Sequence, residues 1–108
     1  MKFGLTENTI NNINSCLAKH RNIEKAILYG SRAKGNYRKG SDIDLVLVGE
    51  NLSINEILKL ENELDELFLP YLFDISIFHQ IKNQDLMEHI EQVGKVFYKS
   101  TSKAERNI

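Results

Sequence analysis

Asp42 and Asp44 stand two positions apart where the apolar run Ile43-Asp44-Leu45-Val46-Leu47-Val48 begins. In an extended strand this spacing turns both carboxylates to one face, with Cα atoms roughly 6.5–7 Å apart. Neighbouring carboxylates repel, and a cation usually offsets the repulsion. Hard oxygen donors of this kind select Mg²⁺ or Mn²⁺. Taken alone, an Asp-x-Asp pair is more often the turn that starts a strand. Asp74 shifts the balance. It interrupts the apolar stretch Leu72-Phe73-Asp74-Ile75-Ser76-Ile77-Phe78, where a carboxylate is costly without a partner or an ion. If its strand lies beside the one that carries Asp44, all three carboxylates share a face. Three carboxylates around two hard cations suit two-metal phosphoryl or nucleotidyl transfer.

The segment before the pair, GSRAKGNYRKGSDID, spans Gly30 to Asp44. It holds three glycines and the cations Arg32, Lys34, Arg38 and Lys39, with no acid before Asp42. Gly30-Ser31 falls where a strand ends and a helical turn can begin. Such a junction offers backbone N–H groups and a positive dipole end to a phosphate. Glycine lets the backbone approach the anion closely. A solvated loop whose charges do nothing is the competing reading of this segment.

The elements that must position these residues follow from periodicity. Thr6 predicts the N-cap of a first helix with Ile10, Ile13 and Leu17 on one stripe, and Cys16 beside it as a small core residue. Lys25–Tyr29 reads as a buried strand ending at Gly30, and residues 43–48 as a second strand closed by Gly49. Ser53-Ile54-Asn55-Glu56 is a capping-box pattern. It opens a helix whose apolar face is predicted from Ile54, Ile57, Leu58, Leu64, Leu67 and Phe68, and Pro70 stops it. The third strand alternates, with Asp74 and Ser76 on one side and Phe73, Ile75 and Ile77 on the other. A last helix from about Asn83 carries Leu86, Met87, Ile90 and Val93. Gly94 is predicted as its left-handed C-cap, and Val96-Phe97-Tyr98 as a short edge strand. The crossover of roughly 20 residues makes the second and third strands parallel neighbours. The expected fold is α/β (α+β): a small mixed sheet with helices mainly on one face, in one domain over residues 1–99, followed by a flexible polar tail over 100–108.

Composition bounds the function. The chain has 108 residues, 14 Lys or Arg against 15 Asp or Glu, and a net charge of −1. That balance argues against a coat for nucleic acid and against a polybasic membrane binder. A single cysteine excludes an internal disulfide and a cysteine zinc site. The N-terminus lacks the apolar region of a signal peptide, and no run reaches the ~18 residues of a membrane span. A reduced, cytoplasmic protein is expected. His20, His79 and His89 are scattered and read as structural or surface residues. Glu61, Glu63, Asp65 and Glu66 read as a solvated helix face. Tyr37 reads as a surface aromatic of the basic loop, and Tyr29 and Tyr71 as packing residues at strand ends.

Gly30-Ser31, Gly35, Ser41-Asp42-Ile43-Asp44 and Asp74 between apolar residues together resemble the signature of the DNA polymerase β-type nucleotidyltransferase superfamily. The likeness is to its minimal nucleotidyltransferases (MNT), small proteins paired with helical HEPN-type partners. The resemblance implies that Gly30 and Ser31, with Arg32, Lys34 and Ser41 in the same motif, bind the nucleotide. It implies that Asp42 and Asp44 bridge two Mg²⁺ or Mn²⁺ ions, and that Asp74 binds the catalytic metal and assists deprotonation of the acceptor. Lys34 stands where many relatives have arginine, which keeps the charge and loses the bidentate fork. The implied reaction moves a nucleoside monophosphate, AMP from ATP, onto a hydroxyl of a partner protein. The implied role is antitoxin to a HEPN-type toxin. The chain is short for an enzyme with its own acceptor domain, so the acceptor is expected to come from elsewhere. Two other readings stand beside this one. One is a non-catalytic nucleotide-binding module that neutralises or assembles with a helical partner. The other is a transferase acting on a small molecule such as an aminoglycoside.

Overall fold

The computed structural model of the chain describes residues 1–101. Helix α1 (Glu7–Ala18) leads into strand β1 (Lys25–Tyr29), a five-residue helix α2 (Gly30–Lys34) and strand β2 (Ile43–Val48). Helix α3 (Ile54–Asp65), strand β3 (Phe73–Ile77), helix α4 (Gln84–Val93) and strand β4 (Lys95–Lys99) complete the order. Each long helix starts on a side-chain cap that satisfies an otherwise orphaned N–H. Thr6 accepts from the Thr9 N–H, Ser53 from Glu56 and Asn83 from Leu86.

The four strands form one sheet in the order β3-β2-β1-β4. β1 pairs antiparallel with both β2 and β4, with a register shift against β4 between Ala26 and Ile27. β2 and β3 run parallel, joined by α3 as their crossover. That crossover sets the register that places Asp44 beside Asp74.

Alternation along the strands builds two unlike faces. Ala26, Leu28, Ile43, Leu45 and Leu47 point to the face covered by α1 and α3, where Ile13, Leu17, Leu60 and Leu64 meet them in the main core. A side chain of this size fully buried stabilises by about 1.5–3 kcal/mol. On the opposite face, Tyr29 and Val46 pack against Ile90 of α4, with Ile27, Phe78 and Leu86 at the margin. The two longest helices therefore share one face, while the shorter α4 covers part of the other.

Three local expectations are revised. The buried stripe of α3 is Ile57, Leu60 and Leu64. Ile54 and Leu58, expected on that stripe, are exposed on a neighbouring side of the helix, and Phe68, expected there too, lies beyond the helix end and is exposed. Gly94 is not left-handed: its φ is −59°. A Cβ there would overlap the Ile90 carbonyl and crowd Ile27, so glycine serves close packing of the α4–β4 turn rather than a positive φ. Of the segment read as a tail, Ser100 is buried and its N–H bonds the Glu24 carbonyl at 2.8 Å. Residues 102–108 lie outside the described residues. Among the described residues no helix is long and apolar enough to cross a membrane.

Candidate active site

Asp44 lies inside β2, with Tyr29 of β1 as its partner on one side and Asp74 of β3 on the other. Parallel pairing at matched register brings the two aspartates side by side on the α4 face of the sheet. Asp42, two residues before Asp44, precedes the strand and is exposed. Asp74 is exposed because β3 is the outer strand. Asp44 and Asp74 therefore share one face, and Asp42 lies near enough to act electrostatically on Asp44. Their side chains are not drawn round a single point: among the described residues no three His, Cys, Asp or Glu groups are gathered as a ready metal cage.

The electrostatics of the group nonetheless favour a cation. Burial pushes the Asp44 carboxyl above the ordinary carboxylate range, and the negative charges of Asp74 and Asp42 push it further, with His89 opposing. Burial also raises the Tyr29 phenol; a hydrogen bond with Ser76 opposes the shift, and Asp74 and Asp44 add to it. The face thus carries more negative charge than its surroundings neutralise. Its donors are hard oxygens, the chemistry of Mg²⁺ or Mn²⁺.

Gly30 joins β1 to α2 at a φ of +74°, and a Cβ there would overlap the Asp44 carboxylate. Both the backbone conformation and the close approach require glycine. The first N–H groups of α2 have no partner within the helix. That of Gly30 donates to Nε2 of His89 at 3.1 Å. His89 projects from α4, and its ring meets Tyr29 edge-on, with centroids 6.1 Å apart. The sequence reading placed His89 with the structural or surface histidines. It stands instead at the centre of the site, and its position three residues after Leu86 and one before Ile90 on the α4 stripe was the available signal.

Arg32 is 3% exposed. Its Nε and Nη2 donate to the Ser41 carbonyl at 3.0 and 2.8 Å, and Nη1 donates to the Phe3 carbonyl at 2.9 Å. Its guanidinium lies between the rings of Tyr71 and Tyr37, at 4.7 and 5.4 Å from their centroids. Ser41 in turn accepts from the Arg38 N–H through Oγ. Arg32 and Ser41 thus tie the basic loop to the residue before Asp42. Lys34, Arg38 and Lys39 are exposed. Tyr37 is an exposed aromatic, as expected, and its ring also faces the Arg32 guanidinium. His20 is buried between Glu56 and Glu63 of α3, so Glu63 leaves the expected solvated face to join α1 to α3. Cys16 is buried and free.

A parallel strand pair carrying adjacent aspartates, with a glycine turn leading into a short helix beside it, suits nucleotidyl or phosphoryl transfer. Residues 11–103 match the polymerase beta nucleotidyltransferase family, and the chain belongs to that family. It is a nucleotidyltransferase. A chain of Methanocaldococcus jannaschii that carries the provisional name protein adenylyltransferase is 29% identical over 90 residues, 80% of this chain and 90% of that one. The fold is shared with a chain of a toxin–antitoxin complex crystallised with AMP-PNP, at a TM-score of 0.67 and 20% identity over 94% of this chain and 79% of that one. It is also shared with a chain of the tri-AMPylated Shewanella oneidensis HEPN toxin in complex with MNT antitoxin. There the TM-score is 0.66 and the identity 16%, over 94% of this chain and 78% of that one.

Proposed function

We infer that this protein transfers AMP from ATP to a hydroxyl of a helical, HEPN-type partner protein, and that it acts as the antitoxin of that partner in the cytoplasm. The observation that carries the reading is the register pairing of Asp44 with Asp74, with Asp42 two residues upstream of Asp44 and Gly30 against the Asp44 carboxylate. The named relative and the HEPN–MNT complexes sharing the fold support the choice of donor and acceptor.

Asp42, Asp44 and Asp74 are the residues that would hold Mg²⁺ or Mn²⁺, which when bound withdraws charge from the α-phosphate and steadies the departing pyrophosphate. Gly30 and Ser31 present the start of α2 to the β- and γ-phosphates. That role requires the Gly30 N–H to exchange His89 Nε2 for a phosphate oxygen. Arg32 and Ser41 act by holding the loop before Asp42, and Lys34, exposed at the end of α2, would supply a cation to the triphosphate. The acceptor oxygen bonds to the α-phosphorus, the bond from that phosphorus to the bridging oxygen breaks, and pyrophosphate leaves. Asp74 takes the hydroxyl proton. Its exposed place at the sheet edge leaves room for a protein acceptor.

The test is the intact mass of the product of the adjacent gene after co-expression with this chain and incubation with ATP and Mg²⁺. Wild type adds whole AMP increments and Asp44→Ala adds none. A partner of unchanged mass with the wild-type protein, or equal mass gain with Asp44→Ala, overturns the reading.

A further inference from the structure

Four large apolar side chains, Ile54, Leu58, Phe68 and Leu72, are exposed on α3 and on the turn that leads from it to β3. Ile54 and Leu58, four residues apart, share one side of the helix. Leu58 and Leu72 line a cavity of about 490 Å³ together with Phe73, and two carboxylates, Glu61 and Asp65, complete its wall. Ile54 lines an adjoining cavity against Ile75 and Ile77. The two form a groove along α3, which at 12 residues is about 18 Å long. Its floor is β3, the outer strand of the sheet, whose free edge is of the kind proteins normally cover.

Three features point to an occupant. The cavity beside Leu58 carries the carboxylates Glu61 and Asp65 and, among the described residues, no Lys or Arg lines it, so it suits an apolar segment with a Lys- or Arg-bearing end. Phe68 is 91% exposed and held at a φ of +53°. The left-handed turn after α3 leaves this large apolar ring in solvent, where an apolar partner would cover it. Finally, Phe73 and Ile75 meet the groove while Asp74, between them, points to the opposite face. A protein seated in the groove lies at the same sheet edge as the carboxylate assigned to the acceptor.

We propose that the α3–β3 groove is the docking surface for the protein acceptor, and that it receives an amphipathic helix with an apolar stripe and a cationic end. The proposal rests on the reading of this chain as a protein adenylyltransferase. It adds where the acceptor binds: on the face of β3 opposite the reacting centre, reaching it round the open edge.

The test measures association of the full-length protein with the product of the adjacent gene, and separately its binding of a fluorescent ATP analogue with Mg²⁺. Two variants probe independent features: Leu58→Ser with Leu72→Ser removes apolar surface, and Glu61→Lys with Asp65→Lys reverses the charge. All four positions lie at the surface or its margin, and circular dichroism checks that both variants fold. Each is expected to weaken partner association by about tenfold or more with nucleotide affinity unchanged, whereas Asp44→Ala keeps association and loses transfer. Wild-type association that neither variant alters overturns the docking surface and leaves the proposed activity standing. A wild-type protein that neither binds nor modifies the partner overturns the activity on which the docking surface rests. A wild-type dimer that both variants turn into monomer, read by light scattering, assigns the groove to a second copy and also overturns the proposal.

Discussion

The two faces of the sheet are built from the same strands and could hardly differ more. Toward α1 and α3, β2 presents Ile43, Leu45 and Leu47, all fully buried. Toward α4, the same strand presents Asp44 and Val46, with Tyr29 and Asp74 beside the aspartate. One face has apolar partners on every side. The other places a carboxylate next to a second carboxylate and leaves its charge without full compensation. Alternation with a period of two makes this division cheap, because the reacting face can be polar and strained while its neighbours one residue away keep the strand in place.

The most direct way to break the comparison is to remove the charge on the reacting face. Asp44→Ala is expected to lower AMP transfer by about 10³-fold or more, read by intact mass of the partner, with no loss of folded protein. Leu45→Ala, one residue along, should do the reverse. A cavity in the main core costs about 3 kcal/mol in urea unfolding, while the protein that remains folded keeps transfer within a few-fold of wild type. Equal losses of activity and stability in both variants would mean that the faces are not separable.

Gly30→Ala tests the seam between them. Its positive φ costs about 1–2 kcal/mol for a residue with a Cβ. The displaced Asp44 carboxylate should lower transfer by roughly 10²-fold, measured with ATP and Mg²⁺ on the same partner.

Asp44→Asn sharpens the electrostatic side. The folded-state carboxyl is raised above its unfolded value by burial and by Asp74 and Asp42, so its ionisation disfavours the folded state. The penalty is absent below the unfolded value near 4 and develops as pH rises through the raised folded value. In EDTA at pH 7 the amide should therefore raise Tm by about 2–4 °C, and the gain should vanish near pH 3. A gain that is independent of pH would assign it to packing.

The smallest effect is expected at His89. The imidazole occupies the Gly30 N–H that a phosphate oxygen needs. His89→Ala should tighten ATP binding by about two- to fourfold, as read by a fluorescent analogue. Weaker binding would place His89 on the triphosphate itself.

Elements, caps and strand faces were legible because they depend on neighbours in the chain. Thr6, Ser53 and Asn83 each sit where a periodic apolar stripe begins, and each caps its helix. Leu64 and Ile57 lie on a stripe that periodicity finds. Leu60 was passed over and Leu58 wrongly included, because one turn of apolar residues does not say which side meets the sheet. Arg32 looked like one more cation of a phosphate loop; only the fold brings the Phe3 and Ser41 carbonyls and two tyrosine rings to it. His89 had no motif at all, since its partner is a backbone N–H 59 residues away.

By itself the sequence determined the order of strands and helices, the common face of Asp74 and Ser76, and the resemblance to the family to which the chain belongs. These are matters of spacing, and spacing is local. The tertiary structure alone decided that Asp44 pairs with Asp74, that Gly30 presses on the Asp44 carboxylate and that His89 holds the Gly30 N–H. It also left α3 and β3 with an open apolar groove. Those contacts depend on the register of a parallel strand pair and on where α4 settles, and both are set by burial summed over the whole core rather than by any one segment.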